Sequence, residues 1–108
     1  IVFQFPFYWF NCTPLLKKYL DDVFTYGWAY GSTGDKLKGK TFALAVSTGS
    51  ATSDYSHTGK AKLTLDELFA RIRSMNYKGL FTQGGSLTIT PEEVEKSAKN
   101  YIEFLKKL

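Results

Sequence analysis

Two short stretches of this chain combine residue types that could hold a planar, electron-rich molecule. The first is Pro6-Phe7-Tyr8-Trp9-Phe10, a proline and four aromatics that run into Asn11-Cys12-Thr13-Pro14. Aromatic rings offer such a molecule apolar walls, and loop N–H groups offer donors to its polar rim. The second stretch is Thr48-Gly49-Ser50, which can present hydroxyl and backbone N–H donors to the same molecule. Tyr55 and His57 follow a few residues on and add a phenol and an imidazole. A plain core role stays open for Phe7–Phe10 on these residues alone.

Both stretches need elements that place them side by side. Ile1–Phe5 is short and mostly apolar, as expected for a strand covered on both faces. Thr13 reads as an N-cap and Pro14 as the first helical residue. The helix then runs to about Thr25, with Leu15, Leu16, Tyr19, Leu20, Val23 and Phe24 at helical spacing. The loop Pro6–Cys12 therefore sits at the carboxyl end of a strand and beside a helix N-terminus, where ligands bind in open α/β sheets. Thr41–Ser47 is a second strand, so Thr48–Ser50 opens on the same edge.

A long loop, Tyr26–Lys40, separates these units and carries Tyr26, Trp28 and Tyr30, aromatics that in a loop point to an interface. After the polar stretch Thr48–Lys62, Thr64 and Glu67 form a capping box for a second helix. Its buried stripe is Leu65, Leu68, Phe69, Ile72 and Met75, and Asn76–Gly79 ends it. A third strand runs from Leu80 to about Gln83, and Gly84–Ile89 leads down to a third helix. Thr90-Pro91-Glu92-Glu93 starts that helix, and Val94, Ala98, Tyr101, Ile102, Leu105 and Leu108 give it an apolar face.

The order β-α-β-α-β-α predicts a single α/β domain over 1–108, with a parallel sheet and helices on both faces. The first strand reads as a central one, yet only three strands are visible, so one of its edges is left bare. Its neighbour is expected from residues not in this chain or from another molecule.

Composition narrows the function classes. The chain has 108 residues, 44% of them hydrophobic and 22% charged, which is ordinary for a soluble globular protein. Its net charge of +4 comes from lysines spread over a loop (Lys36, Lys38, Lys40), around Lys60 and Lys62, and along the last helix. Solvated faces explain that pattern, and with no recognition motif beside it no nucleic-acid partner is expected. The single cysteine, Cys12, excludes an intrachain disulfide and fits a reducing, cytoplasmic setting. No apolar stretch reaches the ~20 residues of a membrane span, so membrane insertion is not expected.

Gly34–Thr41 spells GxxxxGK[ST], but a phosphate loop needs a strand before it and a helix after it. Here the order is loop, then strand, and a basic surface loop is the better reading. Asn11-Cys12-Thr13 matches a glycosylation sequon by chance. His57 has no metal-ligand spacing around it, and Cys12 has no identifiable histidine partner. Neither metal nor thiol chemistry is expected.

Taken together these residues resemble the flavodoxin-like NAD(P)H dehydrogenase (quinone) family, co-linearly over nearly the whole chain. Ile1–Phe10 resembles that family's third strand and flavin loop, and Leu15 to Phe24 the helix after it. Tyr26-Gly27-Trp28-Ala29-Tyr30-Gly31 is similar to its aromatic loop. Leu37-Lys38-Gly39-Lys40, Ser47-Thr48-Gly49 and Tyr55-Ser56 complete the match. The resemblance implies a flavodoxin-like doubly wound parallel sheet, present here as three β-α units without the N-terminal strands. It also implies a flavin, FMN or FAD, on Pro6, Phe7, Tyr8, Trp9 and Phe10, with backbone donors from Trp9 and Phe10. Thr48, Gly49 and Ser50 would lie on the ring edge. Tyr55 would hydrogen-bond or polarise near the flavin during hydride transfer. Trp28 and Tyr30 would face the active site of a partner in a homodimer. The implied reaction is ping-pong, from NAD(P)H to the flavin and then to a quinone or similar acceptor.

Departures from the family pattern are local except one. Thr13-Pro14 shifts the helix start, Ser50 stands for a common second glycine, and Asp22 replaces a frequent basic residue. Ala61 stands where some members have a histidine, with His57 offset. The family's first strand and flavin-phosphate loop precede the point where this chain begins, which implies weak flavin binding by these residues alone. Two other classes share the fold: ancillary regulators of potassium-efflux systems, and an inactive dimerising fragment.

Overall fold

The computed structural model describes residues 1–68 and 75–108. Three strands, β1 (Val2–Pro6), β2 (Thr41–Ser47) and β3 (Asn76–Gln83), form a parallel sheet in the order β1-β2-β3. β2 is central and buried from Phe42 to Val46, as its unbroken apolar run requires. Among the described residues β1 pairs on one side only, as expected.

Alternation along the strands divides the core in two. Phe5, Phe42, Leu44 and Val46 form the main cluster, with Phe3, Leu16, Met75, Tyr77 and Leu80 packed against it. Helix α1 (Pro14–Val23) lies over this face. On the other face β2 contributes the small Ala43 and Ala45. There Phe81 meets Tyr101 and Phe104 of α3 (Pro91–Lys106), with ring centroids 5.0 and 5.9 Å apart. Helix α2 is described over Leu65–Leu68, with Leu65 buried; Phe69 and Ile72 of its expected stripe lie outside the described residues.

The helix starts follow their sequence signals. At α3 the Thr90 hydroxyl accepts from the Glu93 N–H and the Glu93 carboxylate accepts from the Thr90 N–H, a complete capping box. Thr64 and Glu67 repeat it at α2. Thr13 occupies the N-cap of α1 without a side-chain bond, and Pro14 supplies the pre-set φ.

Two expectations are corrected. β3 begins at Asn76, four residues before the expected Leu80. Phe42 faces Tyr77 but Leu44 faces Leu80, so Lys78-Gly79 bulges opposite Ala43, with Gly79 at φ +113°. A glycine that reads as a helix stop is here the extra residue of a β-bulge. The apolar faces of the outer helices are also only partly used. Leu15 is 79% exposed, and Val94, Ala98, Ile102 and Leu105 on α3 are exposed while Tyr101 and Phe104 turn to the sheet. Among the described residues no element covers them.

Candidate functional site at the carboxyl edge of the sheet

The last residues of the strands, Pro6, Ser47 and Gln83, stand in register, so the loops after them meet on one edge. Backbone bonds tie those loops together. The Phe7 N–H donates to the Ser47 carbonyl at 2.8 Å, and the Thr48 N–H to the Gln83 carbonyl at 2.8 Å.

The first loop turns sharply. Tyr8 and Asn11 exchange both backbone bonds, at 3.1 and 2.8 Å, which leaves Trp9 and Phe10 alone at the tip of a two-residue turn. Their φ angles are +49° and +59°. This is the left-handed region that such turns demand and that bulky L residues avoid, at a cost of roughly 1–2 kcal/mol each. Neither N–H has a hydrogen-bond partner among the described residues. Trp9 is 97% exposed. Phe10 meets Phe7 edge to face at 5.8 Å. A recess of about 390 Å³ lies between the turn and the start of α1, lined by Tyr8, Trp9, Asn11, Cys12, Pro14 and Lys17.

The second loop is held from beneath. Thr48 is buried, and its hydroxyl donates to the Ser50 carbonyl at 2.9 Å. Gly49 and Ser50 are exposed, and among the described residues their N–H groups have no partner. Tyr55, after a short 3-10 turn over Thr52–Asp54, folds back so that its ring meets Phe7 edge to face at 5.5 Å. That contact joins the first loop to the second, and the Tyr55 hydroxyl has no partner among the described residues.

Pro6, Phe7, Tyr8, Trp9, Phe10, Thr48, Gly49, Ser50 and Tyr55 are thus brought to one edge. Trp28 and Tyr30 are not. Their loop joins the end of α1 to the start of β2, at the opposite edge, where Trp28 packs on Phe24 and Phe24 on Phe3. His57 is exposed and lies 3.5 Å from Glu67, a carboxylate held below its ordinary range by the Thr64 N–H and hydroxyl, with His57 adding to the effect. Among the described residues no group of side chains could hold a metal ion. Cys12 is half-buried against the core cluster.

The sequence reading missed the third loop. Gly84-Gly85-Ser86 follows β3 onto the same edge and bonds directly to Thr48 and Ser50. The signal was present: a Gly-Gly-Ser at a strand's carboxyl end offers the same donors as Thr48-Gly49-Ser50.

Comparison with known proteins agrees with this architecture. A family model described as a flavodoxin-like fold matches residues 1–106. YrkL of Bacillus subtilis (strain 168), named an uncharacterized NAD(P)H oxidoreductase, is 45% identical over 112 residues, 98% of this chain and 64% of that protein. The crystal structure of general stress protein 14 from Treponema denticola in complex with FMN is 45% identical and superposes with a TM-score of 0.87, over 98% of this chain and 64% of that one. An NADPH-quinone reductase from P. pentosaceus is 29% identical, with a TM-score of 0.82 over 94% of this chain and 63% of that one. The chain spans less than two thirds of the length of these relatives. With a match from residue 1 to residue 106 and a parallel sheet whose loops gather at its carboxyl edge, the chain belongs to the flavodoxin-like fold family.

Proposed function

We propose that this chain supplies the ring seat of a flavin-dependent NAD(P)H oxidoreductase that passes electrons to a quinone or similar small acceptor. One observation carries the reading. Trp9 and Phe10 hold a strained left-handed turn whose N–H groups have no partner among the described residues, on the edge where those of Gly49 and Ser50 have none either. Strain of this kind persists where a site needs it. Four amide donors and a phenol set among aromatic walls suit the polar rim and apolar faces of an isoalloxazine ring.

FMN, when bound, supplies the hydride and electron chemistry, and the protein supplies orientation and electrostatics. Trp9, Phe10, Gly49 and Ser50 would hold the ring through their N–H groups. The Tyr55 hydroxyl, with its ring packed on Phe7, would donate to it as well. Phe7 and Phe10 would keep water from it. FMN is chosen over FAD because the structure similar to this chain at 45% identity holds FMN. Trp28 and Tyr30, at the other end of the sheet, reach a carboxyl edge only if it belongs to a second copy. We therefore assign them to the acceptor pocket of a partner in a homodimer. Cys12 as a free thiol suits the reducing cytoplasm.

The test is an FMN titration of the protein followed by anaerobic NAD(P)H. Saturable quenching of flavin fluorescence, bleaching of its visible band, and return of colour on adding a quinone are expected. Bound FMN that NAD(P)H does not bleach would leave a binding protein instead, and absence of FMN binding would remove the reading.

A further inference from the structure

We infer that Ser86, in the loop after β3, is a positioning residue for the ligand donors of the loop after β2. The inference rests on the flavin reading above. The Thr48 carbonyl accepts two hydrogen bonds from Ser86, one from its N–H at 3.0 Å and one from its hydroxyl at 2.8 Å. A trans peptide is planar, with its C=O and N–H pointing in opposite directions. Clamping the Thr48 carbonyl onto Ser86 therefore points the Gly49 N–H away from Ser86 and out of the loop, with no partner among the described residues. The carbonyl two residues on is also held by two donors. Ser50 accepts from the Gly85 N–H at 2.8 Å and from the Thr48 hydroxyl at 2.9 Å.

The backbone approach at Gly84 shows that this clamp is tight, and Leu87 adds a side-chain neighbour to Gly49. A Cβ on Gly84 would fall 2.5 Å from the Thr52 backbone nitrogen, so only glycine lets the loops approach this closely. A Cβ on Gly49 would fall 3.3 Å from a methyl of Leu87, a side chain 86% exposed at the loop tip. Leu87 therefore lies against the side of Gly49 on which a side chain would stand. The loop after β3 makes the Gly49 donor stationary before a ligand arrives, which cuts the ordering cost of binding.

The experiment compares the full chain with Ser86→Ala and Ser86→Thr by amide NMR relaxation and FMN titration. In the unaltered protein Gly49 is expected to be as rigid as the strands, with an order parameter of about 0.85, and its amide resonance to move on adding FMN. Ser86→Ala should drop Gly49 below about 0.6 while β2 stays rigid. It should also weaken FMN by about 3- to 10-fold, the scale of one lost hydrogen bond. Ser86→Thr, which keeps the hydroxyl, should restore both. A rigid Gly49 in Ser86→Ala, or a mobile Gly49 with unchanged FMN affinity, would overturn the role of Ser86. A Gly49 amide that ignores FMN in the unaltered protein would overturn the flavin reading on which it rests, whatever its mobility.

Discussion

The two ends of the sheet both carry loops rich in exposed aromatics, yet they solve the same backbone problem differently. At the amino edge the positive φ angles of the Tyr26–Lys40 loop fall on Gly27, Gly31 and Gly39, at +81°, +90° and +74°. In the Pro6–Cys12 loop at the carboxyl edge they fall on Trp9 and Phe10. Glycine adopts that region freely, so the amino-edge loop is relaxed, and its glycines also admit close neighbours. The carboxyl-edge turn accepts strain to keep two large rings where Asn-Gly would be the easy choice. A turn needed only to reverse the chain takes the residue the turn prefers. A turn needed to present particular groups does not, and that difference sets the carboxyl-edge turn apart as the candidate site.

The largest expected effect lies at the amino edge. A Cβ on Gly34 would stand 2.1 Å from the Tyr30 carbonyl oxygen, a backbone atom that cannot swing aside. Gly34→Ala should destabilise the fold by about 3 kcal/mol, read as a lower urea midpoint at constant m-value. A midpoint matching the unaltered protein would show this loop to be looser than its packing implies. At the carboxyl edge the sign reverses. Trp9→Asn removes a 97% exposed side chain and installs a residue that tolerates left-handed φ. Stability should rise by about 1 kcal/mol while FMN affinity falls about tenfold. If stability and affinity fell together, Trp9 would be scaffold and the contrast between the edges would fail.

The smallest effect concerns the cap of α3, one short segment beyond the loop after β3. The Thr90 N–H, followed by its hydroxyl, holds the exposed Glu93 carboxylate below its ordinary value of 4.5. A depressed carboxylate contributes stability above the unfolded pKa and loses it as pH falls through the folded one. The melting temperatures of the unaltered protein and Glu93→Ala should therefore differ at pH 7 and converge below about pH 4. A gap that persists in acid would mean that the protonated Glu93 side chain still holds the Thr90 N–H, and no gap at pH 7 would mean that the Thr90 hydroxyl alone makes the cap.

Much of this was legible in the residues. Local signals act through neighbours in the chain, and they survived: Thr90-Pro91-Glu92-Glu93 and Thr64 with Glu67 built the caps expected of them. The apolar run Thr41–Ser47 formed the buried central strand. The carboxyl-edge placement of Pro6–Phe10 and Thr48–Ser50 followed from strand-then-helix order alone, because parallel strands all end on the same side.

Tertiary structure decided what depends on partners distant in sequence. Gly79 became a bulge instead of a helix stop because β2 was there to pair with Asn76 and Tyr77. Tyr55 reached Phe7, and Ser86 reached Thr48, across separations that no local pattern encodes. Trp28 and Tyr30 stood out in the sequence as aromatics of a long loop, but only the fold put them at the edge away from Tyr55. Sequence determined the elements and the edge to which the candidate residues are brought, since caps and periodicity are properties of contiguous residues. The aim of each donor was left to the fold, because a peptide's direction is set by whatever its carbonyl meets across the sheet.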